Sequence, residues 1–231
     1  MNTQIQTPKI KSVEIEGMGR FYKSHDKDLW YPSVTTITGW SKRAFFAEWR
    51  KDPNNAKKLD LAGRRGTALH SVIEDYLKEG TLPSGDPDVS AMFMQMQPNL
   101  DLITNIVAME QPLCSDTLRM AGRFDCIGDY DGVYSVIDFK SSDKTKREDW
   151  IQNYFEQAAA YSLMWYESQG KRVDQIVVLI STMDGQVQEF IKDPSEYYSD
   201  LRNSAAQYWS ENNFDKLQER IHGFLQEDSR Y

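Results

Sequence analysis

Cysteine is scarce in this chain: Cys114 and Cys126 are the two in 231 residues. That excludes a disulfide framework or a four-cysteine metal or iron–sulfur site within the chain. Long apolar runs are missing too. No stretch is long enough to span a bilayer, and "MNTQIQTPKIKSVEIEG" has no apolar signal-peptide core. The expectation is a cytosolic protein with reduced thiols and no membrane association. Internal repeats and low-complexity linkers are absent. No G-x-G-x-x-G follows a strand pattern, which argues against a Rossmann fold. With 40% hydrophobic and 27% charged residues, the composition is that of a soluble globule.

Positive charge is in short supply overall, with a formal net charge of -8. Taken as a sum, this argues against a nucleic-acid binder, because phosphate contacts need Lys and Arg. The distribution says more. Eight basic residues (Lys42, Arg43, Arg50, Lys51, Lys57, Lys58, Arg64, Arg65) face three acids between 42 and 65, whereas 184–231 holds ten acids and five bases. The first block has the charge to hold a phosphate backbone. The ordinary reading of such a run is a solvated helix face.

Along the chain, "SVEIEG", "RFYKS" and "YPSVTTIT" read as short strands. "SKRAFFAEWRK" reads as a helix capped by Ser41, with Ala44, Phe45 and Trp49 as an apolar stripe. Pro53 breaks it, and a second helix runs from about Asn54 to Lys78, with Leu69, Val72, Ile73, Tyr76 and Leu77 on one face and Gly80 as its stop. "TLPSGDPDVS" is expected as a loop and "AMFMQMQPNLDLI" as helix. A β-rich region begins at Val107–Met109 and includes a hairpin turning at Asp131-Gly132. "KREDWIQNYFEQAAAYSLMWYESQG" is a long amphipathic helix. "DQIVVLISTM" and "QVQEFIKD" make a second hairpin across Asp184-Gly185, and 194–224 is helical. This order predicts an α/β fold, a central mixed sheet flanked by helices. The chain divides into N-terminal strands (12–40), basic helices (41–80), a core (105–192) and an acidic helical tail (193–231) of a single domain.

Within "GRFDCIGDYDGVYSVIDFKSS", three polar residues sit awkwardly in strands. Asp138 and Lys140 alternate to one face and Phe139 to the other. With the turn at 131–132, Asp125 falls opposite Asp138, where cross-strand neighbours are about 4.5–5.5 Å apart at Cβ. Two carboxylates that close repel each other unless a cation intervenes. A hard divalent ion is held by one or two carboxylates and phosphate oxygens, and a lysine beside it can orient a water. That equipment suits phosphodiester hydrolysis.

The pattern D-x(n)-D-x-K on a hairpin, followed by Q-x-x-x-Y on a helix, resembles the PD-(D/E)xK nuclease superfamily and more narrowly its RecB-like group. Here it comprises Asp125, Asp138 and Lys140, then Gln157 and Tyr161. That group also carries a histidine on an earlier helix, supplied here by His70 in "GTALHSVIEDYL". "RFYKSHDKDLWYPSVTTITGW" is similar to the N-terminal segment of single-strand exonucleases of the mitochondrial genome maintenance type and their phage relatives.

The resemblance implies a metal-dependent deoxyribonuclease with a restriction-endonuclease-like core, using Mg²⁺ or Mn²⁺ and no iron–sulfur cluster. Asp125, Asp138, His70 and the Phe139 carbonyl would ligate metal. Lys140 would position the nucleophilic water, and Gln157 and Tyr161 would support the site or contact DNA. Glu74, one turn from His70, is either a supporting group or a partner for a nearby cation. Lys42, Arg43, Arg64, Arg65, Ser141 and Lys144 are expected to contact nucleic acid. Single-stranded DNA is the expected substrate, in a bacterial or phage-infected host cytosol, with a helicase or recombination protein acting in trans. The same residues would also serve a structure-specific endonuclease, and the basic block alone would serve a non-catalytic single-strand DNA-binding module. Trp40, Phe45, Phe46 and Trp49 are suited either to stacking on bases or to a helix core.

Overall fold

The computed structural model describes residues 5–228. The first four and last three residues, counted above with the N-terminal segment and the acidic tail, lie outside the described residues. Ser12–Ile15 (β1), Gly19–Lys23 (β2) and Trp30–Pro32 (β3) pair antiparallel into a small sheet. The expected third strand stops at Pro32, because Val34–Thr38 (α1) is helical. Its β-branched residues favour a strand, but Ser33 is an extended N-cap whose hydroxyl accepts from the Thr36 N–H at 3.0 Å. A cap of that kind satisfies donors that a strand would send to a neighbour.

A 3-10 turn, Trp40–Lys42, leads into Arg43–Trp49 (α2). Ser41 lies inside that turn and no side chain caps α2, so the expected single helix capped by Ser41 is not what forms. The expected apolar stripe also stays outside the core, with no residue of α2 buried. The next helix, Pro53–Glu79 (α3), follows its local signals closely. Asp52 accepts from the Asn54 N–H, Pro53 opens the first turn, and Gly80 ends the helix at φ 70. Pro87–Leu100 (α4) begins inside the segment expected as loop, because Asp86 caps the N–H groups of Asp88 and Val89.

The main sheet has five strands in chain order: Ile103–Ser115 (β4), Met120–Tyr130 (β5), Val133–Ser142 (β6), Gln175–Thr182 (β7) and Val187–Lys192 (β8). Only β6 and β7 are parallel. The β5–β6 turn is the expected one, with Asp131 and Gly132 at φ 49 and 78, the two positive angles a tight hairpin requires. A parallel pair needs a long crossover, and Gln152–Gln169 (α5) provides it. That helix starts six residues later than expected, after a 3-10 turn at Glu148–Trp150.

Both faces of the sheet are covered, which is why β6 and β7 read as near-continuous apolar runs. Between the sheet and α5, α1 and Tyr198–Glu211 (α6), the core holds Phe124, Val136 and Val178 with Phe155 and Trp165 of α5. On the other face Leu69 of α3 and Phe93 of α4 share a core with Cys126, Ile137 and Phe139. The last helix, Phe214–Asp228 (α7), packs Leu217 and Ile221 on Ile15, Phe21 and Trp30. Gln218 from α7 is buried and takes both backbone groups of Trp30, accepting its N–H and donating to its carbonyl at 2.8 Å each. It thereby satisfies part of the open side of β3, an edge strand.

One irregularity in this sheet positions the site. The β4–β5 ladder pairs Met109 with Cys126 and Gln111 with Phe124, skipping Glu110 and Asp125. Glu110 has φ 49. Strict alternation would turn Phe124 and Cys126 to the same face, yet they belong to opposite cores. The side-chain alternation is reset at the Glu110/Asp125 step, much as a bulge re-aims side chains.

Candidate active site

The break in alternation brings three elements together. His70 from α3 places Nδ1 3.6 Å from Glu110 Oε1 and 3.5 Å from Asp125 Oδ1. One ligand atom from each of these residues lies within 4.8 Å of the others, a group able to hold a metal ion. Leu69 and Ile73, on either side of His70, are fully buried under the sheet, so packing fixes the turn of helix that presents the imidazole. Burial works against the imidazolium, but the Asp125 charge and the neighbouring Glu110 carboxylate outweigh it and raise His70 to about 9.

The β5–β6 ladder ends at Cys126↔Ile137, one step short of Asp125 and Asp138. Beyond it Asp125 contributes its side chain instead of its backbone, and Oδ2 accepts the Phe139 N–H at 2.8 Å. The two aspartates are therefore near neighbours without forming a regular cross-strand pair. Asp138 is 2% exposed. Burial pushes its carboxyl up, with Lys140 opposing and Asp125 adding to the rise. Lys140 Nζ lies 2.5 Å from Asp138 Oδ2 as a buried ion pair. Desolvation works against the Lys140 charge, and Asp138 and Asp125 overcome it, so the ammonium is held more firmly than usual. The Phe139 ring turns away into the α3/α4 core.

Support comes from α5. Gln157 donates Nε2 to Asp138 Oδ1 at 3.0 Å. Tyr161, one turn on along the same helix face, is fixed against Phe124, with ring centroids 6.4 Å apart. Its hydroxyl also lies directly over Gly122, where a Cβ would come within 2.6 Å of Oη.

His70, Glu110, Asp125, Gln157 and Tyr161 line the floor of an open cleft of about 740 Å³, with Asp138 buried outside that lining. Glu14, Arg20, Tyr22, Thr35 and Thr36 line one wall, Gly66, Thr67, Ser71 and Glu74 the other, and Arg123 reaches in from β5. Glu74 both lines the cleft and pairs with Lys78.

The residues expected to contact nucleic acid do not gather at one place. Arg65 pairs with Asp143, and Ser141 lies beside Gly66, so both flank the Lys140 end of the site. Lys144 is exposed just beyond it. Arg64 lines a neighbouring groove. Lys42 is tied to Trp150 O and Asn153, and Arg43 to Gly17 O and the Trp40 ring. Glu110 and Arg123 did not emerge from the sequence. An acid inside the apolar run "NIVAMEQPL" is as anomalous as Asp125 and could have flagged Glu110, but no spacing rule links it to His70. Arg123 lies 3.6 Å from Glu110.

A hairpin that holds an aspartate beside D-x-K, under a helix carrying Gln and Tyr, is the arrangement of a PD-(D/E)XK nuclease core. The model of the PD-(D/E)XK nuclease superfamily matches residues 95–226, and the chain belongs to that superfamily.

Among named proteins it is similar to Mitochondrial genome maintenance exonuclease 1 of Homo sapiens, 31% identical over 103 residues, covering 42% of this chain and 29% of that protein. The Mus musculus counterpart is 27% identical over 128 residues, covering 50% and 38%. The chain thus spans well under half the length of these relatives. A crystal structure named as an exonuclease from Eubacterium rectale superposes with a TM-score of 0.47 at 11% identity, over 76% of this chain and 77% of that one. Among the described residues, no helix is long and apolar enough to cross a membrane.

Proposed function

We propose that this chain is a divalent-metal-dependent deoxyribonuclease, an exonuclease acting on single-stranded DNA or DNA ends. One observation carries the reading. The His70–Glu110–Asp125 cluster lines an open cleft, and the buried Asp138–Lys140 pair adjoins it through the bond from the Phe139 N–H to Asp125. The donor set fits a hard cation, since it offers carboxylate oxygens and one imidazole within reach of one another. His70, Glu110 and Asp125 would hold Mg²⁺ or Mn²⁺, with Asp138 and the Phe139 carbonyl as further oxygens. A bound ion would supply charge stabilisation to the phosphoryl group.

The chain's own groups do the rest. Lys140 stays charged and holds a water for in-line attack. The water oxygen bonds to phosphorus and loses a proton to solvent, while the bond from phosphorus to the 3′-oxygen breaks and that oxygen takes a proton from solvent to leave as the 3′-hydroxyl. Gln157 and Tyr161 fix the Asp138 carboxylate. Arg20 and Arg123 line the cleft and are placed to hold the phosphates on either side. The whole chain serves as one nuclease unit, with 105–192 supplying the hairpin and 41–80 the contacts to the strand. The exonuclease assignment follows the name of the relatives.

The test is digestion of end-labelled linear and covalently closed circular single strands, with Mg²⁺ or with EDTA. We expect linear strands to be degraded only with metal and circles to survive. Activity that persists in EDTA, or in both Asp138→Ala and Lys140→Ala, overturns the mechanism. Cleavage of circles replaces exonuclease with endonuclease, and binding without cleavage in Mn²⁺ replaces both with a binding module.

A further inference from the structure

Helix α2 presents apolar rings to solvent. Phe45 is 65% and Phe46 42% exposed, and the rings run in a row, with centroids 5.5 Å apart from Phe45 to Phe46 and 6.4 Å from Phe46 to Trp49. Exposed rings of this size at adjacent positions mark an interaction site more often than chance placement. The surrounding charge has a definite sign. Arg50, at the end of α2, and Lys57, Lys58 and Arg64 on α3 make no ion pair or side-chain hydrogen bond among the described residues.

Two grooves meet at Arg50. One, of about 880 Å³, is bounded by Trp40, Arg43, Phe46 and Arg50. The other, of about 860 Å³, is bounded by Arg50, Gly63 and Arg64. The first shares Gly19, Thr35 and Thr36 with the catalytic cleft, and the second shares Thr67 and Ser71. Both therefore open into the site, one from each wall. Of the acids on these grooves Glu14 is already paired with Arg20 at 2.9 Å, and Glu16 and Asp60 stand against Arg43, Arg50, Lys51 and Arg64, which leaves the lining net positive.

We infer that this junction is the track for the single strand flanking the scissile phosphate, with unpaired bases stacked on Phe46 and Phe45 and phosphates held by Arg50 and Arg64. The inference deepens the nuclease reading and rests on it. An unpaired strand is the occupant that matches both features. Its bases offer open π-faces to the rings, and its phosphates neutralise cations that the protein leaves unpaired. A duplex hides its base faces, and an apolar peptide would leave those cations without partners.

The test measures binding of a fluorescein-labelled oligo-dT strand to the full chain by anisotropy, in EDTA and in Ca²⁺, across a salt series. Phe46→Ala is expected to weaken binding about tenfold, within the range of one lost base stack, and Phe46→Tyr to restore it. Arg50→Gln is expected to lower the slope of log affinity against log salt by roughly 0.7, one phosphate contact on a single strand. An abasic strand of equal length should bind wild type and Phe46→Ala alike. Both residues are exposed, and circular dichroism checks that each variant is folded. Unchanged affinity in Phe46→Ala together with an unchanged slope in Arg50→Gln overturns the track, as does equal affinity for duplex or no binding by wild type. Cleavage with Mg²⁺ or Mn²⁺ on the same preparations separates the two readings. Wild type that binds but never cuts removes the nuclease and leaves the track. Variants that bind and cut like wild type remove the track and leave the nuclease.

Discussion

Gly122 is the residue whose replacement most directly tests how the site is supported. It stands under the Tyr161 phenol, and the methyl group of Gly122→Ala would sit 2.6 Å from Oη, 3.0 Å from Cε1 and 3.2 Å from Cζ. An ordinary contact begins near 3.4 Å, so the ring must retreat by roughly 0.8 Å at its oxygen. Tyr161 cannot swing freely, because it is buried on α5 and packed on Phe124. Overpacking of this kind costs about 1–3 kcal/mol.

The displacement should not stop at the ring. Tyr161 stands one turn from Gln157 on the same face of α5, and Gln157 holds Asp138 Oδ1 at 3.0 Å. A shift approaching 1 Å at a reacting group can reduce rate by about 100-fold, so Gly122→Ala should lower kcat by roughly ten- to 100-fold while the cleft stays open to substrate. The assay is denaturant unfolding beside steady-state cleavage, closed into a double-mutant cycle with Tyr161→Phe. Removing the hydroxyl takes away the worst contact, so Tyr161→Phe should be less harmful to stability in the Gly122→Ala background than in the wild-type chain. Gly122→Ala with wild-type stability and rate, or strictly additive effects in the cycle, would refute the chain of contacts from Gly122 to Asp138.

Other outcomes follow from the same geometry. Glu110→Gln should weaken Mn²⁺ binding by about tenfold or more in a calorimetric titration, and unchanged affinity would remove Glu110 from the ligand set. Metal binding needs the neutral His70 ring, which holds its proton up to about 9 in the metal-free site. Apparent Mn²⁺ affinity should therefore climb by about tenfold per pH unit from 7 towards 9, with proton release, and a flat profile counts against His70 as a ligand. In chelator the sign reverses for stability. A raised histidine contributes fully below its ordinary 6.5, and that contribution is lost as pH rises through about 9, which pH-dependent denaturation would detect. Gln218→Ala strands the buried backbone groups of Trp30 and should cost about 1–3 kcal/mol for each group left unsatisfied, measured by urea unfolding, with activity per folded molecule retained.

What could be read from the sequence alone was local in its physics. The Asp131-Gly132 hairpin, the long helix from Pro53 to Gly80 and the alternating placement of Asp138, Phe139 and Lys140 each depend on neighbours a few residues away. Turn angles, caps and strand alternation act at that range. The mixed sheet was legible for a related reason, since its buried strands write their own apolar runs. Three features were decided only by tertiary structure. The β-branched run after Pro32 became helix where Val34 and Ile37 pack into the core with residues of α5 and α6. The stripe on α2 stayed exposed because none of the described residues buries it, and periodicity cannot reveal whether a partner is present. Glu110 joined the site because β4 adopts a positive φ there opposite Asp125 while α3, remote in sequence, brings His70 alongside. Alternation assigns a side chain to a face of a strand. Which helix then covers that face, and where the ladder breaks, is set by how the whole chain packs.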